Sequence, residues 1–430
     1  MSCADELMLD SCIKCSICVA HCPVARVSDQ FAGPKQNGPD LERFRLEGPD
    51  AVSSQAVYCT NCKNCDVACP SGVSVSAMIS RAKGELVARQ GAALRDRLMA
   101  RTELLGRANR ISPALVNWCT KSKPLRRLGE KIFGISAEMT LPRYAEKTFY
   151  DLYALKNQFF KENLFGAKHA AVVYFPGCYV IYNRPEAGLA LMDVLVRNGV
   201  RVLVDRLDCC GLPLISNGFL TEARKCAQKN IQQLEGYFVR GYQVITSCPS
   251  CKLVLKREYK ELFGLGSAGL SGDQVVDIFE YLQTMVRRGK LDRGFNPLPM
   301  RVGYHQPCHL KAGGYGVPSK ELMGLIPGLR VEDLDSGCCG LSGNYGFKRE
   351  KYANSMAIGR EVFRTVKEMG IKHVVTECGI CQLQINHGTG AAVYHPVELL
   401  AKAYGYCGYS RAQNSGIQSR RCENVFENGK

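Results

Sequence analysis

Residues 12–23 read Cys-Ile-Lys-Cys-Ser-Ile-Cys-Val-Ala-His-Cys-Pro, and residues 59–70 repeat the same cysteine spacing as Cys-Thr-Asn-Cys-Lys-Asn-Cys-Asp-Val-Ala-Cys-Pro. Both stretches have the form C-x2-C-x2-C-x3-C-P, which is typical of thiolates that hold [4Fe-4S] clusters. In this arrangement the first three cysteines of a stretch bind one cluster and the fourth binds the other cluster. The predicted ligand sets are Cys12, Cys15, Cys18 and Cys69 (the first cubane site) and Cys59, Cys62, Cys65 and Cys22 (the second cubane site).

Structural zinc is the alternative for these cysteines. Zinc sites use two C-x2-C pairs per ion, whereas each stretch here has four regularly spaced cysteines and a closing Cys-Pro. The spacing therefore favours iron-sulfur clusters.

The chain is too long to be a cluster-binding module alone. It has 430 residues, of which 46% are hydrophobic and 22% charged, and this composition predicts two to four globular domains. The 23 cysteines would suggest disulfides in a small secreted protein. However, residues 1–9 include Asp5 and Glu6 and lack the pattern of a signal peptide. We therefore expect a cytoplasmic protein with reduced thiols.

The charge is strongly positive and unevenly distributed. The formal net charge is +16, and residues 81–131 contain 13 Lys or Arg against 4 Asp or Glu. Residues 75–110 are predicted to form an amphipathic helix with basic faces. This region could be a solvated helix packed on the cluster module, or it could dock an anionic membrane or a partner subunit. No nucleic-acid recognition motif accompanies the charge, and no apolar run is long enough to cross a bilayer.

The carboxyl-terminal half contains an internal repeat. Its two copies align cysteine by cysteine, with offsets of 130, 129, 129, 130 and 130 residues. The first copy supplies Cys178, Cys209, Cys210, Cys248 and Cys251 (the first five-thiol site), and the second supplies Cys308, Cys338, Cys339, Cys378 and Cys381 (the second five-thiol site). Such a register predicts two folding units of the same design.

Each copy is predicted to be an α/β unit with a parallel sheet. The expected strands of the first copy are 171–175, 201–205 and 242–246, and its helices are 186–198, 220–237 and 252–262. In the second copy we expect strands at 301–305 and 373–376 and a helix at 352–369. The cysteines follow the carboxyl ends of strands, where the sites of open α/β sheets gather. Five thiols in one loop cluster suit an iron-sulfur site or zinc. Inert buried cysteines and disulfides are the remaining alternatives.

Several cysteines, two histidines and one glycine-rich stretch lie outside the predicted ligand sets. Cys3, Cys119, Cys226, Cys407 and Cys422 lack partners at ligand spacing and are not expected to be ligands. His305 and His309 flank Cys308 and could tune or replace a ligand, although hydrogen-bonded structural roles are the expectation. The single G-x-G-x-x-G, at residues 264–269, does not follow a predicted strand. We therefore expect neither flavin nor nicotinamide in this chain.

The duplicated C-xn-C-C-G-xn-C-x2-C pattern resembles the CCG domains of heterodisulfide reductase. With the amino-terminal module included, residues 8–405 resemble the family of C subunits of anaerobic glycerol-3-phosphate dehydrogenases, through stretches such as 33–40, 209–219 and 339–350. The resemblance implies two [4Fe-4S] cubanes plus one or two noncubane [4Fe-4S] clusters or zinc at the five-thiol sites. It implies an electron-transfer subunit with no catalytic residues of its own. The implied partners are an FAD-containing dehydrogenase subunit and menaquinone, and a further flavoprotein subunit could join them. It also implies peripheral attachment to the cytoplasmic face of the inner membrane.

The predicted fold is therefore α+β overall, with an N-terminal α-helical double-cubane ferredoxin module followed by two repeated α/β CCG domains. The expected boundaries are 1–85 for the ferredoxin-like module, 86–168 for a basic helical connector, 169–295 and 296–405 for the CCG domains, and 406–430 for a polar tail. Two functional alternatives stay open, beside a third interpretation in which the carboxyl-terminal half is a zinc-braced docking scaffold. The chain could be a catalytic subunit of the heterodisulfide reductase type, or it could serve a glycolate or D-lactate oxidase.

Overall fold

The amino-terminal module is helical, but its helices are short because two cysteine loops occupy much of its length. The computed structural model of the protein describes residues 9–48, 51–162 and 171–406. The helical segments of the module are Ile17–Ala20, the π-helix Gln36–Asp40, Leu41–Glu47, the 3-10 helix Ser54–Tyr58, Asn64–Val67 and Val75–Gln90. Cys22, Cys62 and Cys65 are buried together with apolar side chains such as Phe31 and Ile79. Candidate metal ligands therefore make up much of the core of this module.

The connector is a series of separate helices. They are Leu94–Ala100, Thr102–Asn109, Pro113–Lys121, Lys123–Phe133 and Phe149–Glu162. The single helix predicted over residues 75–110 is therefore wrong. The chain leaves the helical conformation at Gly91, with φ 74° and ψ −172°, and again at Arg101, with ψ 61°. Glycine adopts positive φ without a Cβ clash, which permits the first of these breaks.

The sequence predicts no membrane-spanning segment and a polar tail at residues 406–430. Within the described ranges, no helix combines the length and the apolar character that a bilayer crossing requires. The predicted polar tail lies outside the described residues from position 407 onward, as do Cys3, Cys407 and Cys422.

The first CCG domain contains a four-stranded parallel sheet. Its strands are β1 (Val172–Phe175), β2 (Val202–Val204), β3 (Gln243–Thr246) and β4 (Val275–Asp277), arranged in the order β2-β1-β3-β4. The helices are Gly177–Tyr182, Pro185–Arg197, Leu212–Ser216, Leu220–Val239, Pro249–Leu253, the π-helix Val254–Glu258, Tyr259–Phe263, Ala268–Ser271 and Ile278–Arg287. The predicted parallel α/β arrangement is confirmed. The helix expected over 252–262 begins earlier, at Pro249, and contains the π segment.

The second CCG domain repeats this plan. Its strands are β5 (Met300–Tyr304), β6 (Leu329–Asp333), β7 (His373–Val375) and β8 (Ala392–Tyr394), arranged in the order β6-β5-β7-β8 and all parallel. The helical segments are Cys308–Gly313, Pro318–Met323, the 3-10 helix Tyr345–Phe347, Arg349–Glu368, Gly379–Thr389 and Pro396–Ala403. The two sheets correspond in topology strand by strand.

The two CCG domains share a hydrophobic core. One cluster of buried residues combines Leu189 and Leu195 of the first domain with Val302, Leu400 and Ala403 of the second. Helix Pro185–Arg197 packs directly on helix Pro396–Ala403. Each fully buried aliphatic side chain contributes about 1.5–3 kcal/mol of transfer free energy. The domains are therefore held in one fixed relation, which positions the cysteine loops of both copies.

Candidate metal centres

The first cubane site is assembled from both ends of the amino-terminal module. Cys12, Cys15 and Cys18 line a small cavity together with Cys69 from the second cysteine stretch. The loop curves tightly because Lys14 and Ser16, on either side of Cys15, have positive φ values of 57° and 64°. Such values are uncommon for residues other than glycine. This backbone turns all three thiols of the loop toward the cavity.

The second cubane site repeats this geometry. Cys59, Cys62 and Cys65 line a cavity with Cys22, which comes from the first stretch. Asn61 and Lys63 flank the middle cysteine, and their φ values of 53° and 65° match those of the first loop. The structure therefore brings together each of the two predicted sets of four, including the exchanged fourth cysteine.

The thiols of the cubane sites fit metal ligands in their chemistry. Burial raises the pKa of Cys22 and of Cys62 to about 12, and it raises the pKa of Cys65 well above its usual value. The thiolate is the form that binds a metal, and a metal's positive charge deprotonates a coordinating thiol. Buried cysteines in sets of four therefore suit an iron-sulfur cluster, whose charge would stabilise the thiolates.

The first five-thiol site forms at the carboxyl ends of strands β1, β2 and β3. Neighbouring thiols interact in the order Cys178, Cys209, Cys210, Cys251 and Cys248. The hydrogen bond with Cys251 lowers the pKa of Cys248 to about 7 in spite of burial. This order joins all five cysteines into one continuous group of soft donors.

The second five-thiol site has the same order in its own loops. The sequence of contacts runs Cys308, Cys338, Cys339, Cys381 and Cys378. The Sγ atoms of Cys339 and Cys381 lie 3.2 Å apart. Hydrogen bonds with Cys338 and Cys381 lower the pKa of Cys339 to about 6. The repeat predicted from the cysteine register therefore extends to the arrangement of the thiols.

Both five-thiol sites open into one internal cavity. Its volume is about 330 Å³, and cysteines of both copies line it, among them Cys178, Cys251, Cys308 and Cys381. The connector closes one side of this cavity with apolar residues such as Leu105. The two sites therefore face a common space of largely apolar character.

The second cubane loop lies between the two CCG domains. The Lys63 ammonium pairs with the Glu258 carboxylate of the first domain, at 2.5 Å between Nζ and Oε1. On the other side, the His309 ring donates from Nε2 to the Asn61 carbonyl at 2.8 Å, and the Ser342 hydroxyl donates to the Thr60 carbonyl.

This docking brings two thiol sets together. Cys62 of the second cubane site and Cys308 and Cys338 of the second five-thiol site belong to one packed cluster. Cys62 also interacts electrostatically with Cys308 and Cys338. The second cubane site is therefore adjacent to the second five-thiol site.

The two candidate histidines have different environments. His309 is hydrogen-bonded through both ring nitrogens, because Nδ1 accepts from the Ser250 hydroxyl at 2.8 Å while Nε2 donates to Asn61. The expected hydrogen-bonded role is confirmed for His309. For His305 that expectation is wrong, since both of its ring nitrogens are buried without a hydrogen-bond partner. Burial lowers the pKa of His305 to about 4, so the ring is neutral at neutral pH.

Two of the cysteines predicted not to be ligands lie among the described residues. The Cys226 thiol donates to the Cys209 carbonyl at 2.8 Å, so it stabilises the backbone of the loop that carries Cys209 and Cys210. Spacing along the chain could not indicate this contact, because Cys226 lies on helix Leu220–Val239 rather than in a cysteine loop. Cys119 is partly buried on the connector helix Pro113–Lys121.

Family models and known proteins match this chain over most of its length. The family model for a 4Fe-4S dicluster domain matches residues 8–73, and that for a cysteine-rich domain matches residues 172–256 and 302–386. The chain is 38% identical over 408 residues to the C subunit of anaerobic glycerol-3-phosphate dehydrogenase of Escherichia coli strain K12, covering 93% of this chain and 99% of that protein. It is 28% identical over 418 residues to the B subunit of fumarate reductase (CoM/CoB) of Methanothermobacter marburgensis, covering 93% of this chain and 73% of that protein.

A more distant relative has the same extent. The chain is 22% identical over 439 residues to the D subunit of dihydromethanophenazine:CoB–CoM heterodisulfide reductase of Methanosarcina barkeri, covering 94% of this chain and 96% of that protein. The dicluster and cysteine-rich domains support iron-sulfur clusters in this chain. The similarity to the Escherichia coli protein extends over nearly the full length of both chains. This protein therefore belongs to the family of C subunits of anaerobic glycerol-3-phosphate dehydrogenase and is an iron-sulfur electron-transfer subunit of that type.

Proposed function

We propose that this chain carries electrons from a flavoprotein that oxidises glycerol 3-phosphate to the membrane menaquinone pool under anaerobic conditions. The observation that carries the proposal is the series of four thiol sets in one chain, with the second cubane site packed against the second five-thiol site. One-electron transfer is the chemistry that bound clusters supply. The polypeptide contributes the spatial arrangement of these four thiol sets, which determines which clusters would be neighbours.

The first cubane site is the proposed entry point for electrons. Cys15 is exposed, and Ile13 and Ile17 beside it are exposed apolar residues. Cys62 and Cys65 of the second cubane site are buried. A partner protein can therefore approach the first site directly at Cys15, whereas three of the four cysteines of the second site are buried and Cys59 is only partly exposed.

The connector carries the proposed membrane-binding surface. We define the connector patch as Ile111, Leu115, Trp118, Leu128 and Ile132, which are all exposed apolar residues. Leu128 and Ile132 lie on helix Lys123–Phe133, which has no buried residue and also carries Lys123, Arg127 and Lys131. Exposed apolar side chains with tryptophan and flanking basic residues suit an interfacial helix on an anionic bilayer. We propose that this patch attaches the protein to the cytoplasmic face of the inner membrane.

The membrane proposal can be tested by vesicle binding. Trp118 is the single tryptophan of the chain, so its fluorescence reports directly on the patch. We expect a blue shift with anionic phosphatidylglycerol vesicles and a much smaller one with zwitterionic vesicles. Ile132→Ser should weaken binding, whereas the matched control Val239→Ser, at an exposed apolar position on another helix, should not. Equal binding by both variants would contradict the assigned surface.

The electron-transfer proposal can be tested in the native complex, isolated without oxygen. Glycerol 3-phosphate should bleach the iron-sulfur absorbance, and D-lactate and glycolate should not. The Cys62→Ser variant should lose electron transfer to a menaquinone analogue while the flavoprotein retains dye-linked dehydrogenase activity. If dithionite bleaches the absorbance and glycerol 3-phosphate does not, the donor is a different flavoprotein.

A second candidate function is disulfide reduction of the heterodisulfide reductase type. It is favoured by one observation, namely that both five-thiol sites open into a common cavity of about 330 Å³. Oxidised thiol compounds would then change the paramagnetic resonance spectrum of a five-thiol site, and an unchanged spectrum would count against this function. Metal analysis separates both functions from a zinc-braced scaffold, since two cubanes alone require about eight irons per chain and four clusters about sixteen.

A further inference from the structure

The repeat allows each residue near one five-thiol site to be compared with its counterpart near the other. Strand pairing fixes the correspondence, because Tyr174 pairs with Ile245 in the first sheet and Tyr304 pairs with Val375 in the second. Both pairs differ by 130 positions, the same offset that relates Cys178 to Cys308. The residues that follow these tyrosines are therefore equivalent.

Two equivalent positions differ in chemistry. Phe175 of the first domain corresponds to His305 of the second, and both side chains are only 1% exposed. Ser247 corresponds to Glu377. In both domains the preceding tyrosine contacts the second of these positions. The Tyr174 hydroxyl lies 2.9 Å from the Ser247 hydroxyl, and the Tyr304 hydroxyl donates to the Glu377 carboxylate at 2.8 Å. The second domain thus places an imidazole and a carboxylate where the first has a phenyl ring and a hydroxyl.

The His305 ring has no protein partner for its polar atoms. Both ring nitrogens are buried without a hydrogen bond, although the backbone is fixed by donation from the His305 amide to the Val375 carbonyl at 3.0 Å. A buried polar group left without a partner destabilises the folded protein. A phenyl ring, as in the first domain, would avoid this cost.

The other two buried histidines of the described chain are satisfied. Both ring nitrogens of His309 are hydrogen-bonded. His395 donates from Nε2 to the Ser247 carbonyl at 2.8 Å and accepts at Nδ1 from the Val397 amide at 3.2 Å. The unpaired state of His305 is therefore a property of its position at the second five-thiol site.

The neighbours of His305 are thiols. A ring nitrogen of His305 and the Sγ atoms of Cys339 and Cys381 all lie within 4.8 Å of one another. Neutral imidazole and thiolate are ligands of iron and zinc, and imidazole replaces thiolate on one iron of some iron-sulfur centres. Glu377 also influences His305 electrostatically, and a carboxylate is a common outer partner of a metal-bound imidazole.

We propose that His305 is a nitrogen ligand to iron at the second five-thiol site, which makes the two five-thiol sites chemically unequal. This proposal rests on the proposed function, since it requires that the second site holds an iron-sulfur cluster. The site offers five thiols and one imidazole, so the proposal is that His305 replaces one of the thiolates, and such a replacement raises the reduction potential of iron-sulfur centres. The second five-thiol site, which adjoins the second cubane site, would then have a higher potential than it would with sulfur ligands alone.

The test is nitrogen hyperfine spectroscopy on the whole chain, prepared without oxygen. The signal of the second five-thiol site is identified as the one that Cys339→Ser removes. In the wild-type protein we expect a nitrogen coupling of directly bound imidazole, which changes from the 14N to the 15N pattern when only histidine is labelled with 15N. This labelling experiment needs no variant at position 305, so it does not depend on how a substitution there folds.

The variants then identify the residue. His305→Phe, which restores the residue of the first domain, should abolish the coupling and lower the potential of the site while the iron content stays the same. The matched control His309→Gln, in the wall of the same cavity, should keep the coupling. A cluster signal at this site without imidazole coupling, or with coupling that persists in His305→Phe, would overturn the ligand assignment and leave the proposed function intact. An iron content of about eight per chain with no signal from this site would overturn both the ligand assignment and the proposed electron path through the five-thiol sites.

Discussion

Removing the Glu258 carboxylate should release the second cubane loop from the first CCG domain. Glu258 lies at the end of the π-helix Val254–Glu258, and Lys63 lies between two cysteines of the second cubane site. The side chains of both residues are 0% exposed, and their charged atoms are 2.5 Å apart. The Asn61 amide also donates to the Glu258 carboxylate at 3.1 Å. The pair thus connects the loop to the first CCG domain without contact to solvent.

Both partners of this pair are charged at neutral pH. Burial alone would lower the pKa of Lys63, but the carboxylates of Glu258, Asp66 and Glu261 together outweigh it and raise that pKa. Burial alone would raise the pKa of Glu258, but the charge and hydrogen bond of Lys63, together with His309 and the Asn61 hydrogen bond, outweigh it and lower that pKa. The stabilisation from Glu258 is therefore present above its unfolded pKa and is lost as the pH falls through its folded pKa. The stabilisation from Lys63 is lost only as the pH rises through its folded pKa.

The expected cost follows from the burial of both charges. Glu258→Gln leaves the Lys63 charge buried without its counter-ion, and breaking a buried pair in this way costs about 3–5 kcal/mol. Replacement of both residues, as in Lys63→Met with Glu258→Leu, should recover most of this loss, because neither charge is then buried. With a urea dependence of about 3 kcal/mol per molar, the single variant should lower the unfolding midpoint by roughly 1–1.7 M.

The assay is anaerobic urea unfolding, with circular dichroism and cluster absorbance followed together. The matched control is Glu368→Gln, which removes the carboxylate of the Arg364–Glu368 pair, whose side chains are 65% and 64% exposed. An exposed pair of this kind contributes about 0–1 kcal/mol, so the control should shift the midpoint only slightly. The reasoning would be refuted if Glu258→Gln behaved like Glu368→Gln, or if the double variant were as unstable as the single one.

Three further predictions concern the metal centres. Cys339→Ser should remove one five-thiol signal and leave both cubane signals, and an unchanged resonance spectrum would contradict the ligand assignment. Gly340→Ala should abolish the second five-thiol signal, because Gly340 has φ +90° and an added Cβ would clash with the Ser355 carbonyl oxygen. The control Gly211→Ala, at φ +89°, should retain the first five-thiol signal, because the atom nearest to its added Cβ is 3.8 Å away. Equal iron content in the two variants would contradict this steric argument. Removal of iron should speed amide hydrogen exchange, measured by mass spectrometry, far more over residues 9–79 than in strands β1–β8. The reason is that the core of the amino-terminal module contains its cysteines, whereas the sheets have largely apolar cores. An equal increase in exchange in both regions would contradict this prediction.

The cysteine positions predicted much of the fold because ligation restricts both spacing and backbone. The two C-x2-C-x2-C-x3-C-P stretches indicated the exchange of Cys22 and Cys69, and the structure places these residues in the expected cavities. The register of the repeat likewise indicated two parallel α/β units, because equal offsets require equal folding units. That the cysteines ligate iron stays a prediction from their chemistry and placement.

Other features depend on partners that are distant in the chain. Nothing local to Lys63 indicates Glu258, so the insertion of the second cubane loop between the CCG domains could not be predicted. The predicted long helix is wrong because the chain leaves the helical conformation at Gly91 and again at Arg101, while the apolar periodicity continues across both breaks. His305 was expected to be hydrogen-bonded, since most buried histidines are, and only the three-dimensional surroundings show that its ring has thiol neighbours instead.

The buried second cubane loop has a consequence for the biogenesis of the protein. Cys62 and Cys65 are covered where the loop contacts both CCG domains. A scaffold protein that transfers a preassembled cluster to this site would have to reach these two thiols, which are buried once the loop is docked. If the site holds a cluster, we therefore expect loading to precede closure of the domains around it. Cys15 stays exposed in the closed protein, so the first cubane site presents a thiol that such a scaffold protein could reach without partial unfolding.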